Sequence, residues 1–153
     1  MTILETLKPL LDAASGLDLQ DPAAACATLE QRFDPTSKAG AALSQELQDL
    51  LAAGELCENG ELPVKWGRVA KASDESLGFS IDVVHMNGAG PKHRHPAGEV
   101  NFCVPLSGTP QFEKQTAGWV VMAPDSIHIP AVEGGEMLIV YLLPRGEMEF
   151  IKG

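Results

Sequence analysis

The chain has 153 residues, 44% of them apolar and 21% charged, and a net charge of -10 at pH 7. A chain of this length forms one domain that buries roughly two thirds of its unfolded surface without disulfides. The acidic balance and the lack of a Lys/Arg cluster argue against nucleic acid as a partner, because that affinity depends on charge neutralisation. Three scattered cysteines, Cys26, Cys57 and Cys103, favour reduced thiols over a disulfide framework.

The N-terminal stretch carries acidic residues early and has no basic region followed by an apolar run. We therefore expect no signal peptide. No segment approaches the roughly 20 apolar residues that cross a bilayer, so we expect no membrane association and a cytoplasmic location.

Residues 1–57 have a helical pattern. Leucines and isoleucines recur at intervals of three and four residues, first at Ile3, Leu4, Leu7, Leu10 and Leu11 and again at Leu43, Leu47, Leu50 and Leu51. Asp21 followed by Pro22 is typical of a helix start. The stretches at 33–37 and 53–55 predict breaks. We interpret the leucines as core or as a dimer face.

Residues 58–153 change to short apolar runs separated by Gly and Pro, which indicates strands. Asn59-Gly60 predicts a tight turn. The candidate strands are 64–70, 78–86, 99–106, 118–124 and 136–144, spaced for a sandwich or barrel. Trp66 and Trp119 are expected in the core.

The stretch "GPKHRHPAGE" places His93 and His95 two residues apart, with Glu99 following. On an extended chain His93 and His95 point to one side and Arg94 to the other. The intervening Pro-Ala-Gly predicts a bend that brings Glu99 onto the next strand beside the histidines. Two imidazoles and a carboxylate on one face suit a divalent first-row metal.

A second segment, "GWVVMAPDSIH", runs from Gly118 through Pro124 to His128. Together the two segments resemble the motifs of the cupins, over roughly residues 60 to 145. The resemblance implies a mainly β protein with a cupin-type barrel (a double-stranded β-helix or jelly roll), here preceded by a helical segment. It also implies a metal held by His93, His95, Glu99 and His128. The spacing departs by one residue at His128, and Ser126 stands where the motif usually has Gly.

The segments "HPAGEVNFCVPL" and "GWVVMAPDSIHIPAVEGGEMLIVYLLPRG", with about fifty helical residues before them, are similar to the bacterial 4-hydroxylaminobenzoate lyases. That resemblance implies conversion of 4-hydroxylaminobenzoate and water to 3,4-dihydroxybenzoate and ammonia. A Lewis-acidic metal would assist cleavage of the N–O bond or activate water.

Several residues are candidates for the remaining roles. Glu99 and His85 are candidates for proton transfer, although His85 also fits a structural histidine, and Asn101 is a candidate for proton transfer or substrate binding. The substrate carboxylate needs a cation, for which Arg68, Arg94 and Arg145 are available. Because Arg94 points away from the histidines, we favour Arg68.

Two other functions stay open. The first is a metal-dependent dioxygenase that acts on a small aromatic or diketone substrate with the same metal ligands. The second is a non-enzymatic cupin that only binds a small ligand. The metal itself is undetermined among Fe, Mn, Ni, Cu and Zn. We also expect a homodimer, since strand edges and leucine-rich helices both need cover.

Overall fold

The structure is a computed structural model that describes residues 2–152. The first third of the chain forms three helices, α1 Ile3–Ala14, α2 Pro22–Arg32 and α3 Lys38–Ala52. Each begins at a side chain that accepts a hydrogen bond from a free amide of the first turn: Thr2, Asp21 and Ser37. The end of α2 and both ends of α3 adjoin the two predicted breaks, whereas the break between α1 and α2 was not predicted.

The described residues after α3 form nine strands: β1 Asn59–Glu61, β2 Val64–Ala70, β3 Phe79–Met86, β4 His93–His95, β5 Glu99–Phe112, β6 Gly118–Met122, β7 Ser126–His128, β8 Val132–Pro144 and β9 Glu149–Phe150. Six of them form one antiparallel sheet in the order β1-β2-β3-β8-β5-β6, and a smaller antiparallel sheet has the order β7-β4-β9. The two sheets face each other around a central cavity.

The large sheet separates two apolar layers because its side chains alternate between the faces. On the outer face Ile81, Phe102 and Val140 pack in one cluster with Leu7 and Leu47 of the helices. On the inner face Val84, Cys103 and Ile139 form a second cluster. The helical segment thus covers the outside of the sheet and leaves its inside to the cavity.

Three hydrogen bonds fix the first two helices, one to the large sheet and two to each other. The Trp119 indole N–H donates to the Phe33 carbonyl oxygen at 2.9 Å, which joins β6 to the end of α2. The Arg32 guanidinium donates to the carbonyl oxygens of Ala13 and Ser15 at the end of α1, both at 3.0 Å. These bonds occupy carbonyl groups that a helix end leaves free.

The mainly β class, the cupin-type barrel and the preceding helical segment are confirmed. The predicted 64–70 strand agrees with β2, whereas β5 and β8 are longer than predicted. The tight turn predicted at Asn59-Gly60 is wrong: both residues belong to the edge strand β1, and the chain reverses after Glu61, which pairs with Val64. The division at residues 57 and 58 as a domain boundary stays a prediction.

The three cysteines are free thiols. Burial raises the pKa of Cys57 to about 12, and it also raises the pKa values of Cys26 and Cys103. Within residues 2–152 the helices are too short or too polar to cross a bilayer.

Candidate metal centre

The centre is built on β4 and the bend after it. His93 and His95 are buried, and Arg94 between them is only partly buried on the opposite side of the strand. The bend closes with a hydrogen bond from the Gly98 amide to the His95 carbonyl at 3.2 Å, and Gly98 has a φ of +86°. Glu99 then begins β5 and is fully buried. The bend therefore turns Glu99 back toward the two histidines.

His128 completes the group from β7, where it is the register partner of His93. One side-chain donor atom from each of His93, His95, Glu99 and His128 lies within 4.8 Å of all the others. The Nε2 atoms of His93 and His128 are 3.0 Å apart, and His95 Nε2 is 2.9 Å from Glu99 Oε2.

The outer nitrogen of each imidazole has an acceptor. His93 Nδ1 donates to the Pro91 carbonyl oxygen at 3.1 Å, and His128 Nδ1 donates to Glu113 Oε1 at 2.7 Å. His95 Nδ1 lies 3.1 Å from Ser126 Oγ, whose own proton goes to the Ala123 carbonyl at 2.6 Å. In the tautomer that these acceptors favour, each ring carries its proton on Nδ1 and directs the Nε2 lone pair inward.

Glu99 adds an anionic oxygen to these lone pairs. Asn101 donates from Nδ2 to Glu99 Oε1 at 2.7 Å, whereas Oε2 has no hydrogen-bond donor among the described residues. Burial raises the pKa of Glu99, but the adjacent imidazoles of His93 and His95 and the Asn101 amide outweigh it and lower the pKa to about 2. The carboxyl is therefore ionised. Burial also lowers the pKa of His128, with the Glu113 carboxylate acting in the opposite direction.

These contacts test whether a metal suits the site. Buried lone pairs that face one another at about 3 Å repel unless a proton or a cation lies among them. His95 Nε2 and Glu99 Oε2 are both buried and without a hydrogen-bond partner in the described part of the chain. Three imidazole nitrogens and one carboxylate oxygen are the donors that a divalent first-row ion takes. The donor set fits such an ion and does not select among the candidates.

A cavity of about 600 Å³ opens beside the centre, and His93 forms part of its wall. Most of the wall is apolar or aromatic, contributed by Val84, Met86, Tyr141, Met148 and Phe150 among others. Trp66 also lines it and is 48% exposed, so the expectation of a core tryptophan is wrong there, while Trp119 is buried as expected. The volume suits a small organic molecule.

The three candidate arginines lie in different surroundings. Arg68 lines the cavity and pairs with Asp82, with Nε to Oδ1 at 2.9 Å and Nη2 to Oδ2 at 3.3 Å. Arg94 is not among the described residues of the cavity wall and pairs with Asp125 and with Glu149. Arg145 is exposed beside Glu147. Among the described residues, Arg68 is thus the candidate arginine that lines the same cavity as His93.

Two other candidates lie away from the cavity. By the alternation of β3, His85 shares the face of Ile81 and Val83, which pack toward the helices, and its Nε2 is 2.7 Å from Glu136 Oε1. The structure does not bring His85 to the metal ligands. Asn101 points inward but is fully buried behind Glu99, so it orients the carboxylate and is not part of the described cavity wall.

Three residues of the site were not predicted. Ser126 and Glu113 hydrogen-bond to two of the candidate ligand histidines, and Tyr141 lines the cavity with its hydroxyl 3.7 Å from Met86 Sδ. Ser126 had a signal, since it replaces the glycine usual in the motif. Glu113 and Tyr141 had none, because their positions depend on a hairpin and on pairing between distant strands.

The family model described as "PnbB: 4-hydroxylaminobenzoate lyase" matches residues 8–150. A 4-hydroxylaminobenzoate lyase of Nocardioides sp. is 33% identical over 91 residues, covering 54% of this chain and 54% of that protein. The match thus spans about half the length of that relative. A 4-hydroxylaminobenzoate lyase of Pseudomonas putida is 28% identical over 141 residues, covering 80% of each chain.

Solved structures of low sequence similarity also match parts of the chain. An RmlC-like cupin protein from Ralstonia eutropha is 17% identical, with a TM-score of 0.46 over 63% of this chain and 65% of that one. A cupin-like protein from Thermotoga maritima is 14% identical, with a TM-score of 0.46 over 65% of this chain and 87% of that one.

Proposed function

Because the chain belongs to the 4-hydroxylaminobenzoate lyase family, we propose that it is a metal-dependent lyase converting 4-hydroxylaminobenzoate and water to 3,4-dihydroxybenzoate and ammonia. The observation that carries the proposal is the convergence of four possible metal-ligand atoms, from three histidines and a glutamate, next to an apolar cavity. The reaction is balanced: water enters, ammonia leaves, and no external electron donor or acceptor takes part.

The cavity supports an aromatic carboxylate as substrate. The ring would lie among aromatic and apolar side chains, including Trp66 and Tyr141, where its burial is favourable. Arg68 is the one arginine or lysine among the described residues of the cavity wall. Its guanidinium can bind a carboxylate with two parallel hydrogen bonds. Since Asp82 already occupies Nε and Nη2, the substrate carboxylate would approach the free donors of Nη1 and the second Nη2 proton.

The hydroxylamino group, at the opposite end of the ring from the carboxylate, would then lie toward His93. His93, His95, Glu99 and His128 would hold the metal, which when bound acts as a Lewis acid that assists departure of the N–O oxygen or lowers the pKa of water. Asn101 keeps the Glu99 carboxylate oriented. The apolar walls limit the access of bulk water, which strengthens polar interactions within the site.

Proton transfer requires a group at the cavity, and His85 lies on the other face of the sheet. Tyr141 lines the wall, and burial raises the pKa of its phenol, so the hydroxyl keeps its proton. Its contact with the Met86 sulfur is weak, since thioether sulfur is a poor acceptor. Tyr141 is therefore available to donate to the substrate, and Glu99 remains the alternative.

The test is turnover of 4-hydroxylaminobenzoate by the metal-loaded protein under argon, without nicotinamide or flavin. We expect equal amounts of ammonia and 3,4-dihydroxybenzoate, and loss of both products after treatment with a chelator. Oxygen consumption with a catechol or diketone, with the hydroxylamine untouched, would replace the lyase with a dioxygenase. A protein that carries no metal and binds aromatic acids without turnover would be a binding protein.

A further inference from the structure

We infer that Glu113 is a positioning residue for the metal centre, acting through His128. Its carboxylate accepts the Nδ1 proton of His128 at 2.7 Å and is 35% exposed, whereas the imidazole is mostly buried. Glu113 reaches no other described member of the donor cluster. The inference rests on the metal-binding part of the proposed function and is independent of the substrate.

The three histidines differ in what holds their outer nitrogen. His93 donates to a backbone carbonyl and His95 to a serine hydroxyl, both at 3.1 Å and both neutral. His128 alone among the described ligands donates to a carboxylate. A carboxylate acceptor holds the ring tautomer and increases the basicity of the opposite nitrogen more than a neutral acceptor does. The carboxylate therefore makes Nε2 of His128 a stronger donor than a neutral acceptor at the same position would.

His128 is also the ligand that most needs such support. His93 and His95 are 2% and 0% exposed on β4, whereas His128 is only partly buried at the end of β7, next to the exposed Ile127 and Ile129. Its side chain is 9% exposed, against 3% for His93 and 0% for His95. The hydrogen bond to Glu113 supplies an orientation that the neighbouring chain does not.

The backbone around Glu113 forms a tight turn that holds the carboxylate beside His128. Phe112 and Gln115 pair across a two-residue turn in which Glu113 and Lys114 have φ values of +50° and +66°. Such a turn ordinarily favours Asn or Gly, because a Cβ is strained at positive φ. Phe112, the residue before Glu113, packs its ring 6.2 Å from the His128 ring. One hairpin therefore contacts both the edge and the outer nitrogen of the imidazole.

The experiment measures cobalt(II) binding by chelator competition and by visible absorption, in the full-length protein. Glu113→Ala removes the acceptor, and Glu113→Gln keeps an uncharged acceptor of the same shape. We expect Glu113→Ala to weaken cobalt affinity about 10- to 100-fold and to shift the ligand-field bands, with a smaller loss for Glu113→Gln. Thermal unfolding of the metal-free proteins is expected to change little, because the turn is exposed.

The matched control is Glu136→Gln, which removes the carboxylate from the chain's other 2.7 Å histidine pair, His85–Glu136, on the opposite face of the sheet. Its cobalt affinity and spectrum are expected to equal those of the unsubstituted protein. If Glu113→Ala binds cobalt within twofold of the unsubstituted protein and its spectrum is unchanged, the role of Glu113 is overturned and the proposed metal dependence stands. Failure of the unsubstituted protein to bind cobalt would overturn the metal dependence as well, so the two failures are distinguishable.

Discussion

Each of the three imidazoles contributes one ring nitrogen to the centre, and the loss of any one leaves a set of three donors. Replacing His93, His95 or His128 by Ala is expected to lower metal content strongly, as measured by elemental analysis after dialysis. Glu99→Gln is expected to retain more metal than the three histidine variants, because an amide oxygen can still coordinate. It is nevertheless expected to lose activity, because the amide carries no negative charge. His85→Ala is the control. If the His128→Ala protein keeps its full metal content, His128 is not a ligand.

Arg68 is the arginine of the cavity wall, and its role can be separated from that of the exposed Arg145. Arg68→Ala is expected to raise KM for 4-hydroxylaminobenzoate by about 10- to 100-fold, the worth of a hydrogen bond to a charged group. If the contact also aligns the ring, kcat falls as well. Steady-state kinetics measure both values. A methyl ester of the substrate should reproduce the binding loss, and Arg145→Ala should leave KM unchanged. An unaltered KM in Arg68→Ala would exclude it as the anchor.

The Tyr141 hydroxyl is the cavity group we expect to donate a proton. Tyr141→Phe removes one oxygen and preserves the ring that packs between the strands. A loss of about 10²-fold in kcat with unchanged metal content is expected, within the range for general acid catalysis. The comparison needs kcat and cobalt affinity from the same preparation. Activity equal to that of the unsubstituted enzyme would leave Glu99 as the candidate.

At the scale of elements, the short bend between β4 and β5 determines where Glu99 lies. A Cβ added to Gly98 would lie 2.9 Å from the Met122 carbonyl oxygen and 2.9 Å from Leu19 Cδ1, at a φ of +86°. Gly98→Ala is therefore expected to cost more than the roughly 1–2 kcal/mol of a left-handed conformation. Because Glu99 is the next residue, metal content is expected to fall too.

Gly54→Ala provides the control for this bend. Gly54 has a φ of +77° at the end of the helical segment, and a Cβ there would meet nothing within 4 Å. It carries the same backbone strain without the collision and far along the chain from the ligands. Chemical denaturation and elemental analysis of both variants separate the two effects. Normal metal content in Gly98→Ala would mean that the bend can shift without moving Glu99.

At the scale of the whole molecule, the helices and the large sheet share one apolar layer. Leu7, Leu10 and Leu47 are completely buried in the cluster that contains Ile81 and Val140 of the sheet. Neither partner can separate without exposing that layer to water, at a cost of about 25 cal/mol for each Å² of apolar surface. We therefore expect one cooperative unfolding transition.

Two probes can measure this cooperativity. Helical circular dichroism reports on α1 to α3, and in a Trp66→Phe variant the fluorescence of Trp119 reports on the contact between β6 and the end of α2. The two curves are expected to coincide. If the helical signal is lost at a lower temperature than the Trp119 signal, the helices unfold as a separate unit, which agrees with the predicted boundary at residues 57 and 58. The homodimer stays a prediction that sedimentation can check.

Much of the site could be predicted because its residues are close in sequence. His93 and His95 share a face through the two-residue period of a strand, and the Pro-Ala-Gly stretch predicts the bend that returns Glu99 to them. His128 required the resemblance of a second segment. The leucine spacing likewise predicted the helices, since their periodicity reflects one apolar face.

The remaining features depend on contacts between distant segments. Strand alternation decides that Arg68 faces the cavity and His85 the helices, and the sequence offers no way to know which face of β2 or β3 is inward when both are largely apolar. Trp66 lines the cavity together with Pro91 and Phe150, which are distant from it in sequence. Glu113 contacts His128, fifteen residues further along the chain, only because the folded hairpin places its turn beside β7. Local periodicity is set by the chain itself, whereas the position of one hairpin against another strand is set by packing, and packing exists only in the folded protein.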